Sequence, residues 1–216
     1  MTRTARLPLA SMLPLLGLLL AASCASPRPP AEYVPPRLDL ERYGALGIVE
    51  FAGSGASGLG ADATREFVAA VHAAQPGTPM LELGDFAAAF PGAKSAKLAP
   101  AAVREIAARE KVEAVWVGEV SEHEGKARFA LDPNYGTASA SAQRVANISV
   151  RLLDGVSGAT VWSASSERTI PVVAVNGSLA GLPNVRTTPA EEARAILLRD
   201  LVNDVTYDLR PQWVQR

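Results

Sequence analysis

Few residues in this chain could do chemistry. It has 216 residues, one cysteine (Cys24) and two histidines (His72 and His123). The segment Gly53-Ser54-Gly55-Ala56-Ser57-Gly58 matches G-x-G-x-x-G. In that pattern the glycines let a backbone approach a pyrophosphate at a helix N-terminus, and an acid further on binds the ribose. Glu82 or Asp85 stands at about the right distance to be that acid. The spacing, however, predicts a helix capped by Asp62 and starting near Ala63, which leaves the glycines in a loop short of the helix. No Lys-Ser/Thr pair follows them, so the expectation is a flexible connection and no nucleotide cofactor. In Glu122-His123-Glu124 a strand sets both carboxylates on one face and the imidazole on the other. That suits a metal poorly, since a metal wants converging nitrogen or sulfur ligands, so no metal site is expected. His72 falls on the flank of a helix as a solvated or half-buried side chain. No serine sits in a G-x-S-x-G elbow, although spacing alone leaves a triad open. The chain therefore reads as a non-enzyme with no catalytic residues assigned. The alternative is an envelope hydrolase whose site the sequence does not reveal.

The elements that would position these residues alternate along the chain. Ala45 to Phe51 is a short apolar run and reads as a buried strand. A helix follows to Ala74, with Phe67, Val68 and Val71 on one face. Pro79 to Leu83 is a short strand. Pro100 opens a second helix to about Lys111, with Val103, Ile106 and Ala107 inward. Ala114 to Val120 is a strongly apolar strand, and Ser121 to Gln143 reads as polar and irregular. Val145 to Leu153 alternates as a half-buried strand. The turn Asp154 to Gly158 then leads into a partner strand over Thr160 to Glu167. After a loop from about Pro171 to Arg186, Thr188, Pro189 and Glu191 form a capping-box pattern. They open a helix from Ala190 to about Arg210 with Ile196, Leu197, Leu201, Val205 and Leu209 as its apolar stripe. The order β-α-β-α-β-β-β-α predicts an α/β domain with a mixed sheet. Trp116 and Trp162 lie in strands and read as core. Trp213, beyond the last helix, is either a lid on the core or an exposed partner-binding anchor.

Ahead of the domain, Arg3 and Arg6 precede an apolar run from Leu7 to Ala22 that is broken by Pro8 and Pro14. It is shorter than the roughly 20 residues of a spanning helix and reads as a removable export signal. The signal ends in Leu20-Ala21-Ala22-Ser23-Cys24, which resembles the lipobox of bacterial lipoproteins; Ala21 stands where leucine is commoner. The resemblance implies cleavage before Cys24 and a thioether-linked diacylglycerol on its sulfur, with palmitate-like acyl chains. Ala25 is not the aspartate that retains such proteins at the inner membrane. The implied location is therefore the periplasmic face of the outer membrane, or the cell membrane where there is no outer one. Residues Ala25 to Arg37 contain five prolines. As polyproline II at about 3.1 Å per residue they would span up to about 40 Å. The organisation expected is a signal over 1–23, a lipidated cysteine and tether over 24–40, and a single periplasmic domain over 41–216. Lys and Arg number 21 against 22 Asp and Glu. No long basic run appears, so nucleic acid is not an expected partner.

The phrases LGIVEF, VEAVWVGEV and VRLLDGVSGATVWSAS resemble an α/β domain shared by several envelope proteins: the curli-secretion lipoprotein CsgG, the LpoB activators of penicillin-binding proteins, and the N-terminal domain of TolB. The resemblance runs from about Tyr43 to Leu209 and implies an anticodon-binding-domain-like fold. Those motifs are structural and speak to fold more than to function; the shortage of converging titratable groups is what points to a protein-interaction, regulatory or assembly module, with an envelope protein or further copies as partner. In the curli channel, long amphipathic hairpins inserted into this domain build a membrane barrel. Here the candidate insertions are Ser121 to Gln143 and Thr169 to Thr187. Ala127, Phe129 and Leu131 alternate only briefly there, against about ten residues for a barrel strand, so a channel subunit is a further alternative.

Overall fold

A computed structural model of the chain describes residues 31–93, 96–132, 134, 137–178 and 184–215. The signal segment, Cys24 and the first part of the expected tether lie outside the described residues. The chain divides into two compact units, one of residues 1–34 with 212–216 and the other of Pro35–Pro211.

In the first unit, β1 (Ala31–Val34) pairs antiparallel with the last strand, Gln212–Gln215. The expected spacer over 24–40 thus contains a strand. In the second unit, Leu38 and Leu40 are core residues. Gln75 holds them there: its amide oxygen accepts from the Leu40 N–H at 2.8 Å, and its amide nitrogen donates to the Leu38 carbonyl at 2.7 Å. The domain's core therefore begins inside the stretch read as tether.

The second unit is α/β, as the sequence predicts, around one mixed sheet. β2 (Leu46–Ile48) and β3 (Ala52–Ser54) both run parallel to β5 (Ala114–Glu124), and β2 also pairs in parallel with β4 (Met80–Glu82). The single strand expected over Ala45 to Phe51 is broken because the chain spends one more residue than β5 between Leu46↔Ala114 and Ala52↔Glu119. In that bulge the Phe51 N–H leaves the ladder and donates to Thr64 Oγ1 at 2.8 Å. β5 is antiparallel to β7 (Thr137–Asp154), which forms a long hairpin with β8 (Thr160–Ser178). β6 (Arg128–Asp132) lies on the distal part of β7, and β9 (Asn184–Thr187) on the distal part of β8.

Helices cover both sides of the sheet's central part. On one side α1 (Leu59–Ala74) and α4 (Ala190–Val205) bury Phe67, Leu197 and Leu201 against Trp116, Ile148 and Leu152. On the other, α2 (Phe86–Ala89) and α3 (Pro100–Glu110) bring Ala89, Val103 and Ile106 against Val115, Val117 and Leu153. β5 feeds both layers by strand alternation. Trp116 is fully buried between Phe67 and the half-buried Trp162, both edge-on at 5.1 and 5.3 Å. α2 is absent from the sequence reading. Asp85 starts it by accepting from the Ala88 N–H at 2.7 Å, an N-cap.

Four local expectations are corrected. α1 begins at Leu59 with Gly58 as its cap, so Asp62 sits inside the first turn and pairs with Arg65 at 3.1 Å. α4 has Pro189 as its cap and no side-chain capping bond; the Thr188 N–H is already used on the Val172 carbonyl. α4 ends at Val205, and a 3-10 turn over Tyr207–Leu209 continues the path. Its buried face is Ala193, Leu197, Leu198, Leu201, Val202 and Val205, while Ile196 is 39% exposed.

Where α4 crosses β8, Asp204 accepts from Arg168 Nε and Nη2 at 2.7 and 2.6 Å and from Ser166 Oγ at 2.6 Å. The Arg168 hydrogen bonds above all, with Ser166 and the Arg168 charge adding to them, hold the Asp204 carboxyl below the ordinary value against partial burial. A carboxyl lowered on folding stabilises the fold above its unfolded pKa of about 3.9, and that contribution is lost as pH falls through the lower folded value. The gap in Tm between the native chain and Asp204→Asn should therefore be widest near about pH 7 and close below about pH 4. A gap of constant size across that range would refute this assignment.

Candidate functional site

The most unusual surface lies where the sequence reads as irregular. Ser121 to Gln143 contains the end of β5, β6 and the start of β7, and the stretch from Pro171 to Arg186 contains the end of β8 and β9. Together β6, β9 and the distal halves of β7 and β8 make a four-stranded antiparallel sheet in the order β6-β7-β8-β9.

Directly paired residues in such a sheet share a face. One row is Phe129, Ala140, Val175 and Val185; flanking it are Leu131 with Ala138, and Ala142 with Val173 and Thr187. The opposite face carries Arg128, Ser141, Ala174 and Arg186, then Ala130 with Ser139, and Asp132 with Thr137. One face is thus apolar across all four strands and the other is largely polar. The apolar face is open: Phe129 is 69% exposed, Leu131 60% and Val185 57%. A shallow groove of about 270 Å³ runs over Phe129, Ala140, Ala142, Val173 and Val175. Scattered exposed hydrophobics are ordinary, whereas a contiguous patch in register across four strands marks an interaction surface.

Two devices hold this face. The β7–β8 register shifts between Ala142 and Gln143, where Pro171 pairs with Gln143 and Val173 with Ala142. Val172 is the extra residue, and the bulge turns Val173 and Val175 to the face that Ile170 shares with the core. Between that core and the open face lies Glu122, with its side chain 5% exposed. It accepts from Arg144 Nη1 at 2.9 Å and from Arg194 Nε, on the first turns of α4, at 3.3 Å. This charged clasp closes the helix-covered core at the point where the uncovered apolar face begins.

The sequence-predicted candidates lie elsewhere. The glycine loop does end at a helix N-terminus, contrary to expectation, since Gly58 caps α1 with φ 78°. Its close approaches are nevertheless internal. A Cβ on Gly55 would meet the Glu122 carbonyl oxygen at 2.5 Å, and one on Gly60 would meet that of Phe51 at 2.1 Å. Gly53, Gly55 and Gly60 let helix and strands touch, whereas a Cβ on Gly58 would meet nothing within 4 Å. Glu82 joins Glu50, Asp85, Thr64 and Arg65 around a cleft of about 300 Å³, the lower end of ligand-site volumes, and Asp85 is engaged as a helix cap. His123 points away from Glu122 and Glu124 as strand geometry requires, and both it and His72 are exposed. Among the described residues no group of three or more potential ligands could hold a metal, and no helix is long and apolar enough to cross a membrane. In the first unit Trp213 is 69% exposed and packs edge-on against Tyr33 at 5.3 Å.

No protein-family model matches the sequence, and no curated protein does. Among solved structures the chain is similar to the PelC dodecamer from Paraburkholderia phytofirmans, at 16% identity over 83% of this chain and 96% of that one, with a TM-score of 0.45. It is similar to the C-terminal domain of LpoB from Salmonella enterica, at 13% identity over 72% of this chain and 93% of that one, with a TM-score of 0.35. It is also similar to a lipoprotein from Neisseria meningitidis, at 14% identity over 59% of this chain and 83% of that one, with a TM-score of 0.36. Each of these scores is below 0.5.

Proposed function

We propose that this chain is a lipid-anchored protein of the bacterial envelope, tethered through Cys24 to the periplasmic face of the outer membrane, and that it acts by assembly rather than catalysis. Its assembly surface is the apolar face of the β6-β7-β8-β9 sheet, and its occupant is further copies of the same chain. The observation that carries this reading is the match between that face and its borders. Among the described residues β6 and β9 each pair on one side only, so a backbone edge is open at either end of the apolar face. Open edges next to exposed apolar side chains are templates for strand addition. If β6 of one copy meets β9 of the next, the contact is head-to-tail and repeats until a ring closes.

Phe129→Asp with Leu131→Asp tests this. Both side chains are already in solvent, so the double variant should keep its Tm. Native mass spectrometry and sedimentation of the mature chain should show a multimer for the native sequence and a monomer for the variant. A native chain that stays monomeric at every concentration refutes self-assembly. The anchor is checked on the same material, since the membrane fraction should yield an N-terminal, acylated Cys24.

The apolar and polar faces of this sheet also favour a second reading, a subunit of a CsgG-like secretion channel with the apolar face towards lipid. Among the described residues the edge strands β6 and β9 have five and four residues, short of the about 9–11 of a spanning strand, whereas the central β7 and β8 have 18 and 19. That shortfall favours assembly on the membrane surface over insertion. Steady single-channel conductance from the purified multimer in a planar bilayer would reverse the preference.

A further inference from the structure

The first compact unit joins a strand from near the anchor to the last strand of the chain, β10 (Gln212–Gln215). Ala31 pairs with Gln215 and Tyr33 with Trp213, so the two aromatic rings share one face of the ribbon. They stand edge to face at 5.3 Å and remain 52% and 69% exposed. A ribbon of two four-residue strands is at best marginally stable in water by itself.

We infer that this ribbon docks on the lipid headgroup layer and is a second, aromatic point of attachment beside the acyl chains. The inference rests on the reading of Cys24 as the lipid anchor. Three observations commit it to lipid. The first is chain length: Ala31 stands seven residues after Cys24, so even a fully extended chain at about 3.3 Å per residue holds the ribbon within roughly 23 Å of the anchored sulfur. The second is chemistry. Tyrosine and tryptophan present an apolar ring and a polar tip, the combination that settles between acyl chains and water. The third is size. One aromatic pair flanked by Ala31 and Gln215 is far below the roughly 1,000 Å² a specific protein interface needs. A headgroup layer, held at high local concentration by the tether, asks for no such area. Glu32 pairs with Val214 and therefore lies on the opposite face of the ribbon, so among the described residues of the ribbon no carboxylate lies on the aromatic face.

The test uses the mature full chain from Cys24, coupled through its single thiol to a maleimide-headgroup lipid in vesicles of phosphatidylethanolamine and phosphatidylglycerol. This fixes the anchor whether or not cells acylate Cys24. Trp116 is buried and Trp162 is half-buried against the core, and both are common to the two chains, so the difference in emission between the native chain and Trp213→Phe isolates Trp213. On coupling, that component should shift to the blue, lose its quenching by acrylamide and gain quenching from lipids brominated near the headgroup. Tyr33→Ser should weaken all three changes while leaving the Tm of the chain unchanged. Trp213 emission still open to acrylamide in the coupled chain overturns the inference. So does Trp213 that is shielded from acrylamide but untouched by brominated lipid, because its cover is then protein. Finding Cys24 unacylated in the native membrane fraction refutes the anchor reading instead, and the vesicle result distinguishes the two failures.

Discussion

Leu201→Asp should leave the Pro35–Pro211 unit unable to fold. Leu201 is fully buried in α4, on the face that packs against α1 and the sheet. A carboxylate there has neither water nor a cation, and an unpaired buried charge costs several kcal/mol after relaxation. Removing the side chain alone, in Leu201→Ala, should cost about 2–5 kcal/mol. A domain of this size is stable by only about 5–15 kcal/mol, so the first substitution takes most or all of the margin and the second a large part. Ile196→Asp is the companion measurement. The sequence pattern sets Ile196 on the same stripe, whereas the structure turns it 39% into solvent. Its replacement should move Tm by a few degrees at most. A circular dichroism melt of the non-lipidated chain should give, in order of rising cost, Ile196→Asp, Leu201→Ala, Leu201→Asp. Equal effects at 196 and 201 would mean that α4 docks in the phase the sequence alone suggests. A Leu201→Asp chain that melts like the native one would mean that the helix is a detachable segment.

The difference between those two residues shows what the sequence carries and what it leaves out. An apolar period says that a helix is buried and roughly on which side, and the position of β8 and α1 then selects the rows in contact. Here the choice is Leu198 and Val202 over Ile196. β5 and α3 are legible because their apolar runs are dense and bounded by turn residues such as Lys111, which closes α3 in the left-handed conformation at φ 57°. The β6-β7-β8-β9 sheet is not, for a physical reason. Its apolar positions are mostly alanine and valine, and in β8 the bulge at Val172 falls in the unbroken apolar run Val172-Val173-Ala174-Val175, which hides the alternation that resumes at Val173. Phe129 and Leu131 are the visible part of the pattern. β1 is hidden in another way: Ala31 to Val34 is flanked by prolines, and its only partner among the described strands is at the far end of the chain. The proposed anchor at Cys24 is the opposite case, a pattern wholly local in sequence that makes no appeal to the fold.

Gly60→Ala should destabilise the chain, although the residue lies in a helix, where alanine ordinarily gains about 1 kcal/mol over glycine. The reason is the bulge after β2. Phe51 leaves the ladder there, and its carbonyl oxygen comes so close to the first turn of α1 that a Cβ on Gly60 would sit 2.1 Å from it. The Gly53 nitrogen would be 3.3 Å from the same Cβ, so a backbone on each side of the bulge blocks relief by a side-chain rotation. Either the helix start or the bulge must shift. A shift of the bulge takes with it the 2.8 Å bond from the Phe51 N–H to Thr64. It also disturbs the Phe51 ring, which packs on Phe67 at 5.3 Å and covers Gly118. Overpacking of this kind costs about 1–3 kcal/mol, more where backbone rather than side chain must yield. About 3 kcal/mol corresponds to a fall in Tm of roughly 6–12 °C for a domain of this length. Gly58→Ala provides the contrast. Gly58 has φ 78° but nothing within 4 Å of its would-be Cβ, so only the left-handed backbone penalty of about 1–2 kcal/mol applies. Thermal melts should rank Gly60→Ala below Gly58→Ala. The reverse order, or a Gly60→Ala chain as stable as the native one, would show that the first turn of α1 does not lie against the Phe51 carbonyl, and the glycines of this loop would then need another explanation.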